Sequence, residues 1–178
     1  MKIALSGKQG SGKSELAQYL IKTYGFVHLS FAKAIKEYAM EHHQLTWEQA
    51  FGKEKNRELL QKIGREGREI NINYWVDAIL ETITTDPSKN YIIDDVRYEN
   101  EYDLLKGHNF VMVRIEADEN LRKQRLEMTF IHPNHVSETA LDEGFQWDMV
   151  IHNIQTIEVL QRLGDMLIQT MGDLGGTK

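Results

Sequence analysis

The chain has 178 residues, 41% hydrophobic and 27% charged, which suits one globular domain with room for a core. A net charge of −6 excludes the broad basic footprint of a protein that grips a nucleic-acid polymer, though not a small anion held by a few placed cations. The absence of cysteine excludes a disulfide framework, a cysteine zinc site and a thiol nucleophile, and fits the cytoplasm.

The first element is "KIALS", a short apolar strand. It enters directly at the N-terminus, so no signal peptide is expected, and no later apolar run is long enough to cross a membrane. "GKQGSGKS" follows, with Gly7, Gly12, Lys13 and Ser14 at the fixed places of G-x-x-x-x-G-K-[ST]. Glycines let successive backbone N–H groups turn inward around an anion, here those of Gly7, Gln9, Gly10, Ser11 and Gly12. The helix behind them adds its free first-turn N–H groups and the positive end of its dipole. Lys13 reaches β- and γ-phosphates, and the Ser14 hydroxyl suits Mg²⁺. The motif therefore predicts a nucleoside-triphosphate phosphate site.

A helix is predicted from about Ser11 to Tyr24, with Leu16, Ala17, Leu20 and Ile21 as its buried stripe and Gly25 beyond its end. "FVHLS" reads as a second strand and "FAKAIKEYAMEHH" as a helix. "TWEQ" is a capping box that starts a further helical stretch, continuing through "KNRELLQKIGREGREI". "NYWVDAILETI" is another helix, ended near Asp86 and Pro87. "YIIDD" and "FVMVRIEA" are buried strands, "ADENLRKQRLEM" is a helix capped by Asp118, and "DMVIHN" is a fifth strand. Residues 154 to 171 form a closing helix with Ile157, Leu160, Leu163, Leu167 and Met171 on one side, and "GDLGGTK" reads as a frayed tail.

Strands alternating with helices predict a parallel sheet with right-handed crossovers, and ligands at the carboxyl ends of its strands. The glycine loop, "DDVR" and the "HN" that ends in Asn153 then share one edge. The fold class is α/β: a five-stranded parallel sheet with helices on both faces, in a single domain spanning 1–178. A helical insert, 31–85, is expected to wall the phosphate site.

An acid at the end of a strand beside such a loop holds Mg²⁺ directly or through water. Asp94 and Asp95 compete for that role, and strand alternation predicts that they point to opposite sides. Arg97 follows on the same edge. The insert groups Lys33, Lys36, Arg57, Arg65 and Arg68, while Arg122 and Arg125 lie three apart on one helical face. Arginine forks pair two phosphate oxygens at once, which is what phosphoryl transfer asks of its cations. Trp47, Trp75 and Phe31 are candidates for base stacking or for core. Asn100 and Glu101 either start a helix or read a base. "HVSE" lacks the order and spacing of a hydrolase triad, and "HPNH" offers too few metal ligands. Ordering of a lid, or capping of the next helix by Ser137, is the expected role there.

These stretches together resemble the phage-type deoxynucleoside monophosphate kinases of the P-loop nucleoside monophosphate kinase group. The resemblance rests on "IALSGKQGSGKS", "SFAKAIKEYA", "RELLQKIGREGRE" with "WVD", "DDVRYENE", "RIEADENLRKQR", "HVSETALD" and "DMVIHN", in family order over nearly the whole chain. It implies a P-loop kinase fold with a helical acceptor-binding insert and a short lid, 118–142. It implies transfer of the ATP γ-phosphate to a (deoxy)nucleoside monophosphate, with Mg²⁺. Under that reading Lys13, Asp95, Arg97, Arg122 and Arg125 are catalytic. Gly7, Gln9, Gly10, Ser11, Gly12, Lys13, Ser14 and Asn153 hold ATP, and Ser14 with Asp94 or Asp95 holds the metal. Lys33, Lys36, Arg65, Arg68, Trp75 and Arg97 hold the acceptor. No nucleic-acid polymer and no membrane are expected as partners, and a homodimer is left open. The alternatives are a kinase of the phosphomevalonate or dephospho-coenzyme A type, and a nucleotide-binding regulatory NTPase module.

Overall fold

A computed structural model describes residues 1–126 and 135–175, and for 173–175 the backbone alone. The element order is β1 (Lys2–Ser6), α1 (Lys13–Tyr24), β2 (Val27–Leu29), α2 (Phe31–His43), α3 (Trp47–Phe51), α4 (Arg57–Ile70), α5 (Tyr74–Thr85), β3 (Tyr91–Val96), α6 (Glu99–Gly107), β4 (Val111–Glu116), α7 (Glu119–Arg125), α8 (Val136–Thr139), β5 (Met149–His152) and α9 (Ile157–Gly175). The chain divides into two compact units, Met1–His28 with Asn90–Lys178, and Leu29–Lys89.

The first unit carries the sheet, in the order β2-β3-β1-β4-β5. β1 runs parallel to both β3 and β4, and β4 parallel to β5. Alternation along the strands sends Ile3, Leu5, Ile92, Val113 and Ile115 into one core, where they meet Leu16 and Leu20 of α1 and Leu160 and Leu167 of α9. On this stripe Ile21 is only half-buried. Ile157 is 53% exposed rather than in the core, because it sits at the very start of α9. α9 also outruns its predicted end, so "GDLG" continues the helix instead of fraying. α1 begins at Lys13, two residues later than predicted, since Gly12 at φ +104° is still in the loop conformation.

Two further differences bear on the site. Ala4 pairs with Ile93, yet Ser6 pairs with Val96, so β3 holds one residue more than β1 across Asp94 and Asp95. Such a bulge breaks the strict alternation that predicts opposite sides for the two acids. Secondly, "ENEYDLLKG" is a helix, α6, packed against β4. The buried Glu101 carboxylate accepts the N–H groups of Arg97 at 2.7 Å and Tyr98 at 3.1 Å. Glu101 is thus a helix start, and its oxygen is not free to read a base.

The second unit is helical. Thr46 and Gln49 close the predicted capping box on α3, but the helix stops at Gly52 rather than running on, and α4 starts afresh with the Asn56 side chain accepting the Leu59 N–H at 3.1 Å. α4 packs on α5 through Gly67, where a Cβ would lie 2.7 Å from the Trp75 ring. The Trp75 indole N–H donates to Gly64 O at 3.1 Å, and the residue is buried. Gly67→Ala is therefore expected to overpack this contact and cost about 1–3 kcal/mol, read as a lowered melting temperature.

Candidate active site

The glycine loop leaves β1 at Ser6 and turns back into α1. Gly7 (φ +143°) and Gly12 (φ +104°) occupy conformations closed to other residues, and a Cβ on either would run into Ile115 O or the Asn153 amide. Gly7 thus lets backbone approach backbone, Gly12 lets it approach a side-chain amide, and the loop stays tight. Lys13 is folded over it: its Nζ donates to Gly7 O at 2.5 Å and Lys8 O at 3.0 Å. Only 8% of the residue is exposed. Burial, aided by the positive charge of Arg97, pushes its ammonium down to about 8, against the opposing pull of Glu138 and Asp94.

The Ser14 hydroxyl donates to Asp94 Oδ2 at 2.8 Å, and His28 Nε2 lies 2.8 Å from Asp94 Oδ1. Burial alone would raise the Asp94 carboxyl, but the bonds from His28 and Ser14 and the nearby Lys13 charge outweigh it, holding Asp94 below the usual carboxylate range. A hydroxyl and an ionised carboxylate in contact form the hard oxygen donor set that suits Mg²⁺. Ser14 and Asp94 therefore fit the metal. Asp95, the acid implied by the resemblance, sits half-buried at the bulge.

Both α7 arginines reach the loop. Arg122 Nη1 donates to Gln9 O at 3.2 Å, and Arg125 donates to Gly10 O at 3.4 Å and to Asn153 O at 3.3 Å. Asn153, buried at the end of β5, donates its side-chain amide to Ser11 O at 2.8 Å. Asp118 caps α7 through the Asn120 N–H. A cleft of about 370 Å³ runs along this edge, with Lys13, Ser14, Arg125 and Asn153 at its polar end and Ile157 and Leu160 on its apolar wall. That wall gives the exposed Ile157 a surface to present. Ser11 Oγ is buried with no hydrogen-bond partner among the described residues, and Ser11 lines a second cleft of about 340 Å³ with Lys8, Arg114 and Arg122.

Five residues here have roles that sequence reasoning did not assign. Glu138 accepts the Gln9 N–H at 2.7 Å and pairs with the Arg97 guanidinium. His135, not Ser137, caps α8, its Nδ1 accepting the Ser137 N–H at 3.2 Å. Asp142 bridges Lys8 at 2.7 Å and Arg114 at 2.8 Å. A charged residue inside the apolar run "FVMVRIEA" was the available signal for Arg114, since a buried arginine needs a partner. His28 carried no signal. Of the lid, residues 127–134 lie outside those described, and "HPNH" falls there except for His135. Among the described residues no group of three metal-ligating side chains forms.

The insert cations belong to the other unit. Lys33 pairs with Glu37 at 3.6 Å, Lys36 Nζ stands 4.9 Å over the Phe51 ring, Arg65 is exposed and Arg68 half-buried. Phe31 is buried, and Trp47 is exposed and stacked on Phe51. Trp75 has its indole N–H and one ring face committed to α4, although it lines a cleft of about 490 Å³ with Tyr38, Tyr74 and His43.

Residues 3–163 match AAA_18, a family described as an AAA domain. The chain belongs to the AAA_18 family. This AAA_18 chain is 27% identical to a protein of Acanthamoeba polyphaga mimivirus named "Putative deoxynucleotide monophosphate kinase", over 88% of this chain and 90% of that one. It is 32% identical to "Uncharacterized protein ORF77" of Ictalurid herpesvirus 1, over 79% of this chain but 59% of the herpesvirus protein. Its fold is shared with TT1252 of Thermus thermophilus, at TM-score 0.57 and 15% identity over 96% of this chain and 97% of that one. Shikimate kinase of Acinetobacter baumannii matches at TM-score 0.57 and 16% identity, over 99% and 95% of the two chains. The α/β architecture of this AAA_18 chain is therefore that of the P-loop kinases.

Proposed function

We propose that the protein transfers the γ-phosphoryl group of ATP to a (deoxy)nucleoside monophosphate. The observation that carries this reading is the convergence of Lys13, Arg122 and Arg125 on one glycine loop, with the Ser14–Asp94 pair at its far end. The acceptor class rests on the mimivirus relative, whose likeness runs nearly the full length of both chains.

In this reading Lys13 and the loop amides other than that of Gln9, which donates to Glu138, hold the donor phosphates. The apolar wall of the cleft takes the adenine, and its volume of about 370 Å³ lies within the range of small-molecule sites. Ser14 and Asp94 would hold Mg²⁺, which would supply neutralising charge to the phosphates. The two α7 arginines, now bonded to neutral carbonyls, have stronger partners in phosphate oxygens. An oxygen of the acceptor phosphate attacks the γ-phosphorus in line, its new P–O bond forming as the bond to ADP breaks. No covalent intermediate on the protein is required. Arg97 takes the acceptor phosphate, with Asp95 a further carboxylate near the metal.

The test is ADP release from Mg·ATP without acceptor and with dAMP, dCMP, dGMP or dTMP. Dephospho-coenzyme A and phosphomevalonate complete the panel. Release that rises strongly with one or more monophosphates is the expected result, because a site built to exclude water hydrolyses ATP slowly alone. Stimulation confined to the other two compounds would move the acceptor to the small-molecule class. Equal release with no acceptor would replace the kinase with an NTPase module.

A further inference from the structure

Residues 135–142 form a short strap whose two carboxylates hold successive residues of the glycine loop. Asp142 pairs with Lys8 at 2.7 Å and with Arg114 at 2.8 Å, and Arg114 donates on to Ser6 Oγ at 3.2 Å. Glu138, with only 8% of its side chain exposed, uses both oxygens: Oε2 accepts the Gln9 backbone N–H at 2.7 Å and Oε1 takes the Arg97 guanidinium. The other end of Arg97 is held as well, because its backbone N–H donates to Glu101 at 2.7 Å.

A nearly buried carboxylate is costly unless each oxygen is paired, and here each is paired to a different part of the proposed phosphate machinery. One partner belongs to the loop that would hold the donor. The other is the arginine assigned to the acceptor phosphate. An arginine side chain free in solvent must lose much rotamer freedom to engage a phosphate, whereas a fork already fixed loses little. One carboxylate thus fixes the distance between a donor-side amide and an acceptor-side cation.

We propose that Glu138 is a positioning residue for phosphoryl transfer, locking Arg97 against the glycine loop. The proposal rests on the kinase reading above. Glu138 touches neither substrate in this account and acts through Arg97. A misplacement of about 1 Å in such a group can cost about a hundredfold in rate.

A double-mutant cycle over Glu138→Ala and Arg97→Ala tests it, with kcat/KM for the monophosphate read at saturating Mg·ATP. Glu138→Ala is expected to lower that value by about tenfold to a hundredfold. Arg97→Ala should lower it at least as far. The double variant should then lose no more than Arg97→Ala alone, since the carboxylate has nothing left to position. Glu138→Gln keeps an oxygen for the Gln9 N–H but not the charge for Arg97, so its loss should fall between wild type and Glu138→Ala. If Glu138→Ala does not fold, the same cycle run with Glu138→Gln decides. A strap that merely braces the fold would give losses that multiply, and that result overturns the proposal. So does a Glu138→Ala protein as fast as, or faster than, the wild type. A wild type with no acceptor-dependent turnover instead overturns the kinase reading and this proposal with it, which keeps the two failures distinct.

Discussion

Replacing Lys13 with alanine is expected to abolish turnover while the protein keeps its fold. The ammonium lies across the glycine loop, bonded to two loop carbonyls and buried beside Arg97, Glu138 and Asp94. In the proposed reading it is the cation that follows charge onto the β–γ bridge of a bound triphosphate. Losing one such electrostatic group in a water-poor site costs at least about a hundredfold to a thousandfold in kcat. The fold survives because the charge is held against its own solvation. Burial depresses the Lys13 pKa to about 8, so the folded chain binds this proton less tightly than the unfolded chain does. The charged amine therefore costs stability below about pH 8, and that cost fades as pH rises toward the ordinary lysine value. Lys13→Ala at pH 7 should accordingly show a denaturation midpoint no lower than wild type. The same depression predicts that wild-type kcat/KM for ATP, which reports the free enzyme, falls as pH rises through about 8. Turnover near the wild-type rate in Lys13→Ala would remove the phosphate site from this loop.

The second large effect belongs to the acid pair. Asp94→Asn is expected to cut kcat/KM by at least about a hundredfold, as for loss of one electrostatic group in a reacting site. Asp95→Asn should do markedly less. The resemblance alone implies the opposite order, and the contact between Ser14 and Asp94 at 2.8 Å is the reason to reverse it. Asparagine keeps a hydrogen-bond acceptor for the Ser14 hydroxyl but loses the charge that a divalent cation needs. Raising the Mg²⁺ concentration should therefore recover part of the activity of Asp94→Asn. A larger loss in Asp95→Asn would return the metal side to Asp95.

How much of this was legible in the sequence differs by element. The strand–glycine loop–helix unit was readable because each part of it is local: an apolar run, glycines where the backbone turns, then a stripe at helical spacing. The α3 capping box and the Asp118 cap were readable for the same reason, since a cap is a bond between residues two or three apart. The break between α3 and α4 was not. The charged, proline-free "GKEKNRE" between them reads as a solvated helical turn, and only Gly52 together with the Asn56 cap separates the two helices. α6 was missed as an element because its start signal, Glu101, reads equally as a polar site residue until its carboxylate is seen to be buried on two backbone N–H groups.

The sequence by itself determined the α/β class, the five strands in chain order and the strand–glycine loop–helix unit. All of these follow from short spacings, and short spacings set both periodic burial and local hydrogen bonds. The tertiary structure alone decided which distant charges meet. Glu138 reaches Gln9 across 129 residues and Arg97 across 41, and His28 reaches Asp94 across 66. It also decided the one-residue bulge that unsettles the alternation of Asp94 and Asp95. A carboxylate carries no mark of its partner in the chain. Its pairing is set when the chain folds and burial leaves each charge only the few neighbours able to compensate it.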